Sequence, residues 1–181
     1  MNKSIISKPI LALTLLAVGS GNGIAGGNLE KLIAHARAAA PPAISADATV
    51  VIKGEVVAKG NNGWTCMPEV MPGDGSSVCV DAVWAEMMAA VGAKAAFKPS
   101  GVGVSYMLQG DAPGGGVSNS SPYHEHPRKA DDYAETGPHL MLIVPKEMLK
   151  GVTSDPSTGG PWVMWKDTDY AHLMIPVDRG K

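Results

Sequence analysis

Short aliphatic runs that stop at glycine or proline constrain this chain more than any other feature. Thr49-Val50-Val51-Ile52, Glu55-Val56-Val57, Gly101 to Leu108, His139 to Val144, Trp162 to Trp165 and Ala171 to Val177 are too short for ordinary helices and rich in residues that suit a pleated surface. Turn residues separate them, as in Gly60-Asn61-Asn62-Gly63, Asp155-Pro156 and Gly159-Gly160-Pro161. The 22 Gly and 14 Pro make about a fifth of the 181 residues, below the roughly 25–30% of low-complexity chains. Strands outnumber helices and do not alternate with them. The fold class that follows is α+β: a mainly antiparallel β-sheet with one or two short helices, in a single domain over 48–181.

Two helices are expected. Asn28 precedes Leu29, Leu32, Ile33 and Ala36 at helical spacing and Pro41-Pro42 stops the run, which predicts a short helix over 29–39 within an N-terminal helix-and-linker segment, 26–47. Asp81 can cap a second helix, whose Val83, Trp84, Met87, Met88 and Val91 fall on one core-facing stripe before Gly92 ends it. From Gly110 to Pro138 no element is predicted; Gly114-Gly115-Gly116 reads as flexible linker, and a loop of that length is usually functional or mobile. Pro145 to Gly151 should make a one-turn helix that ends at its glycine.

The N-terminus predicts an address. Lys3 and Lys8 precede an apolar run from Ile10 to Val18, and small residues at Gly23 and Ala25 suit cleavage before Gly26, the layout of a secretory signal peptide over 1–25. The expected location is periplasmic or secreted, with no membrane span after processing, since no apolar run approaches the roughly 20 residues a span needs. In an oxidising compartment two cysteines read as a disulfide, Cys66 to Cys79, across a loop too irregular to hold itself. With 15 Lys+Arg against 17 Asp+Glu, no basic stripe exists, and nucleic acid is excluded as a partner.

One repeated tripeptide carries the best chemical signal. His139-Leu140-Met141 and His172-Leu173-Met174 each open an apolar strand, and alternation places His139 with Met141, and His172 with Met174, on one face. Neighbouring strands would then converge two imidazoles and two thioethers, a donor set suited to copper in both oxidation states. The plainer reading makes the methionines core filler and the histidines satisfied by backbone carbonyls, with Asp167, Asp169 and Tyr170 near enough to orient His172. Tyr123-His124-Glu125-His126-Pro127 is a second candidate for zinc or copper, or a solvated loop. Folded over the sheet, it would complete a four-histidine site of His124, His126, His139 and His172. His35 has no partner pattern. Ser105 lacks the Gly-x-Ser-x-Gly elbow of a nucleophilic hydrolase, and no phosphate-binding, dinucleotide or haem motif is present.

Gly160-Pro161-Trp162-Val163-Met164-Trp165, Tyr170 to Val177, Asn62 to Pro68, Ser105 to Gly110 and Thr136-Gly137-Pro138-His139 together resemble a family of secreted bacterial proteins with no assigned activity. That resemblance spans most of the chain after residue 25 and implies an exported domain of its own kind. His139-Leu140-Met141 is also similar to the His-x-Met motif of periplasmic copper chaperones with cupredoxin-like folds.

The expected function is non-catalytic binding of a small ligand or a copper or zinc ion, through His139, Met141, His172, Met174, His124 and His126. A metal-dependent enzyme using the same histidines, with Glu125 or an aspartate as general base, is the alternative from another class. The third is an interaction module whose Trp162 and Trp165 face a partner.

Overall fold

The computed structural model describes residues 26–177, so the expected signal peptide lies outside the described residues. Three α-helices, α1 (Gly26–Arg37), α2 (Pro42–Ser45) and α3 (Ala82–Ala93), accompany ten strands. These are β1 (Thr49–Ile52), β2 (Glu55–Ala58), β3 (Thr65–Met67), β4 (Val78–Val80), β5 (Gly103–Met107), β6 (Val117–Ser118), β7 (Tyr133–Ala134), β8 (His139–Ile143), β9 (Trp162–Met164) and β10 (His172–Pro176). Eight strands form one sheet in the order β2-β1-β3-β4-β5-β8-β10-β9, and β6 pairs with β7 apart from it. Every ladder is antiparallel except β1 with β3. The expected α+β class is the observed one.

Local chemistry explains the elements. Lys53 and Gly54, at φ of 51° and 83°, supply the two positive-φ residues that reverse β1 into β2. Asp81 caps α3 as expected, accepting the Trp84 N–H at 2.9 Å through one oxygen; its other oxygen accepts the Val104 N–H at 2.6 Å and so ties the helix start to β5. The far end of α3 differs from expectation. Gly92 stays helical, and Lys94 takes the left-handed position at φ 52°, its N–H meeting the Ala90 and Val91 carbonyls. Glycines in the Gly101 to Leu108 run suggest a close backbone approach or a bulge, and Gly103 is such an approach, because a Cβ there would stand 3.0 Å from Val83 and 3.1 Å from Ile143.

Each face of the sheet carries its own core. α1 packs on β1, β3 and β4, burying Ala36, Ala39 and Ala40 with Val50, Cys66 and Cys79. Residues 26–47 are thus packed structure, and the Pro41-Pro42 stop is also a start, since Pro42 opens α2 at a position that needs no N–H. Cys66 and Cys79 are opposed residues of β3 and β4 and form the expected disulfide, fully buried beneath α1. On the other face, α3 covers Val78, Val80, Met107, Met141 and Met174. No described helix is long and apolar enough to cross a membrane.

The Gly110 to Pro138 segment, for which no element is predicted, has structure of its own, and the flexible linker expected at Gly114-Gly115-Gly116 is corrected. It contains β6, β7 and a 3-10 turn over Pro127–Lys129, and Asp132 binds it together by accepting from the Ser118 hydroxyl and the Ser120 N–H. Gly114 and Gly116 are close-packing positions: side chains there would collide with Arg128 and with the Ala134 carbonyl.

Candidate functional site

Alternation on β5, β8, β9 and β10 aims one set of side chains at α3. Between them and the helix lies a cavity of about 420 Å³, the size of a small organic molecule, walled mainly by methionine and tryptophan. Met87 and Met88 of α3 face Met107, Met141, Met164 and Met174 of the sheet across it. It opens near Met71 and Tyr123, which are 52% and 42% exposed. The α3 stripe expected to be core is therefore also one wall of a site.

Both repeated histidines line this cavity, each only 1% exposed. Their backbone setting is the same. His139 Nδ1 lies 2.7 Å from the Gly137 carbonyl and His172 Nδ1 2.9 Å from the Tyr170 carbonyl, both from residue i to i−2. A carbonyl can only accept, so each Nδ1 carries the hydrogen and each neutral ring keeps its lone pair on Nε2. The orientation foreseen for His172 therefore comes from the Tyr170 backbone; Asp169 is paired with Lys146. Burial pushes the His172 imidazole down to about 4, against the opposing pull of the Tyr170 carbonyl and with a small further push from His139. Burial likewise lowers His139, its Gly137 hydrogen bond opposing.

The two histidines are not opposed on the ladder. Antiparallel register sets Met141 against Met174 and His139 against Pro176, so His172 stands four residues further along the ladder, about 13 Å away at strand rise. The register thus opposes the two methionines of the repeat, Met141 and Met174, and offsets its two histidines along the strands. Each histidine has a different methionine opposite it, Met107 on β5 for His139 and Met164 on β9 for His172.

His172 is the more specialised of the two. Trp84 and Trp165 flank it edge-on, with ring centroids at 5.0 and 5.1 Å. Among the described residues its buried Nε2 has no hydrogen-bond partner, and neither has the Nε1–H of Trp84: an unmet acceptor beside an unmet donor. Such a pair suits a hydroxyl, which donates to one and accepts from the other.

At the His139 end the wall turns acidic. Asp111 accepts the Thr136 N–H at 2.7 Å, and Asp74 accepts the Val70, Met71 and Ser76 N–H groups. Asp74 and Asp111 are both lining residues of the cavity. Burial raises Asp111 to about 6, with the Thr136 hydrogen bond opposing and the charges of Asp74 and Glu135 adding to the rise.

The remaining sequence candidates lie elsewhere. His124, Glu125 and His126 are exposed and outside the cavity, and His124 Nδ1 accepts the His126 N–H in a local loop turn. Among the described residues no three His, Cys, Asp or Glu side chains gather as a metal-holding group, so the four-histidine site does not form. Trp162 is 2% exposed and Trp165 gives its Nε1–H to the Ser118 carbonyl, which corrects the expectation that this pair faces a partner. His35, read as solvated, is exposed and donates through Nε2 to the Gly75 carbonyl at 2.9 Å.

Sequence reasoning missed Trp84, Asp74 and Asp111 as site residues. One compositional signal pointed there: ten Met against a single Phe means that thioethers fill a core where aromatic rings are usual. Comparison with protein-family models, curated proteins and solved structures finds no match for the chain.

Proposed function

We propose that this protein is an exported, non-catalytic binding domain that holds a small, mostly apolar molecule between α3 and the sheet. The observation that carries the reading is His172 Nε2, an oriented acceptor buried without a partner on the wall of an apolar cavity of about 420 Å³. An unsatisfied buried acceptor costs about 1–3 kcal/mol, a cost that a ligand hydroxyl removes on binding. Resemblance to secreted bacterial proteins, the signal-like N-terminus and the disulfide support export.

Calorimetry with 4-butylphenol, an apolar body with one hydroxyl, tests the reading. Saturable 1:1 binding is expected, weakened about tenfold in His172→Phe, which keeps a ring but loses the acceptor. Absence of binding to the wild type at millimolar 4-butylphenol would sink it.

A second reading has its own observation. The pairs His139/Met107, Met141/Met174 and His172/Met164 draw imidazole and thioether across one sheet face, a donor set that suits copper(I) far better than zinc. Anaerobic copper(I) titration against a chromophoric chelator should then give near-stoichiometric uptake that a His139→Ala/His172→Ala double variant loses.

A further inference from the structure

We propose that the ligand of this cavity is a cationic amphiphile, whose ammonium group docks against Asp111 and Asp74 while its apolar body lies along the methionine wall toward His172. The inference rests on the small-ligand reading and names the class of molecule.

Its first support is the placement of the carboxylates. Asp111 N–H donates to the Thr136 carbonyl while its side chain accepts the Thr136 N–H, a two-point bracket that fixes the carboxylate beside Gly137 and the start of β8. One oxygen is thereby used, and the other has no hydrogen-bond partner among the described residues. No described Lys, Arg or His forms an ion pair with either aspartate; the ion pair among described residues is Lys146 with Asp169, on another part of the surface. Lys94, the one ammonium in the cavity wall, lies over the Tyr123 ring, 5.4 Å from its centroid. Two neighbouring acidic residues thus line the cavity with no ion-pair partner among the described residues, and burial with mutual repulsion holds Asp111 well above the usual carboxylate range.

The second support is independent and lies at the other end. His172 Nε2 is unpartnered, the side chain is 1% exposed, and it lines the same cavity. Asp111 and His139 are bracketed by the adjacent residues Thr136 and Gly137, so the acidic end is the His139 end and lies about 13 Å of ladder from His172. The occupant is therefore elongated, with a cation at one end and a hydroxyl at the other. A single metal ion does not reach both ends. The described residues offer it no three-ligand group of His, Cys, Asp or Glu, whereas indole and thioether walls hold an organic body.

The test is calorimetric titration of the wild type and Asp111→Asn with a matched pair, 4-(4-aminobutyl)phenol and 4-butylphenol, which differ only in the ammonium. Asparagine keeps an acceptor for the Thr136 N–H. The amine is expected to bind the wild type at least about tenfold more tightly than 4-butylphenol, and Asp111→Asn to abolish that preference while leaving 4-butylphenol affinity unchanged. Equal affinities in the wild type, or a preference that survives Asp111→Asn, would overturn the inference and leave the small-ligand reading standing. Failure of both compounds to bind overturns the reading and the inference together.

Discussion

The two faces of one sheet are built to opposite rules. Under α1 the side chains are small: Ala36, Ala39, Ala40 and Ala48 close onto Val50 and a buried disulfide. Under α3 the side chains are long and unbranched, a cavity remains, and His172 Nε2 and Trp84 Nε1 stay unsatisfied. Close packing with short side chains fixes one geometry and leaves no room; methionine fills irregular space and adapts to an occupant. The α1 face is accordingly the closed one, and the α3 face the one with room for the proposed ligand.

The largest effect should come from breaking the closed face. Replacing Cys66 and Cys79 by Ala is expected to cost about 3–4 kcal/mol in urea unfolding, because a buried staple across the β3–β4 loop is lost. Affinity for 4-butylphenol in the folded fraction should not change, since neither cysteine touches the cavity. Coupled loss of both would mean that the two faces are not independent.

Next in size is a pH effect confined to the α3 face. Between about 4 and 6.5 the unfolded chain binds a proton at His172 that the folded chain refuses, so this histidine makes stability fall by about 3 kcal/mol as pH drops through that window. Asp111 has the opposite sign: its folded carboxyl holds a proton up to about 6 against 3.8 unfolded, so its contribution falls as pH rises through that range. The wild type should therefore show a shallow profile near pH 5. Asp111→Asn should unmask the loss of stability on acidification, and His172→Gln the loss on raising pH. Urea midpoints measured from pH 4 to 7 check both, and parallel profiles for the three proteins would contradict the assignment.

Much of the fold was legible because its signals are local. The Asp81 cap and the twin strands depend on residues within one turn or one pleat. The cavity was not legible, since it is made by register. Sequence spacing places His139 and Met141 on one face, but only strand pairing decides that Met141 meets Met174 while the imidazoles part. The segment after Gly110 misled for a related reason: its order comes from Asp132 and from close contacts at glycine, which composition reads as flexibility. Asp111 becomes notable only once Thr136 brackets it across 25 residues.

A smaller contrast follows from packing tolerance. Ala36→Leu forces extra volume into the closed α1 face and should cost about 2 kcal/mol, whereas Met87→Leu, equally buried but beside free space, should cost about 1 kcal/mol or less. Equal costs would show that the α3 face is packed as tightly as the other.

The mildest substitution separates the two ligand chemistries. Met141→Leu/Met174→Leu removes the central thioether pair, keeps volume and apolar character, and should change stability by less than about 1.5 kcal/mol. An organic amphiphile depends on these walls for shape, so 4-butylphenol affinity should move less than about threefold. Copper(I) depends on sulfur donors, so its affinity should drop by an order of magnitude or more. Measured side by side, retention of the phenol with loss of copper(I) shows that the sulfur atoms bind metal in a site that also takes the amphiphile. Retention of both removes the thioethers from any metal chemistry and leaves the methionines as adaptable wall, which is the role that the free volume under α3 assigns them.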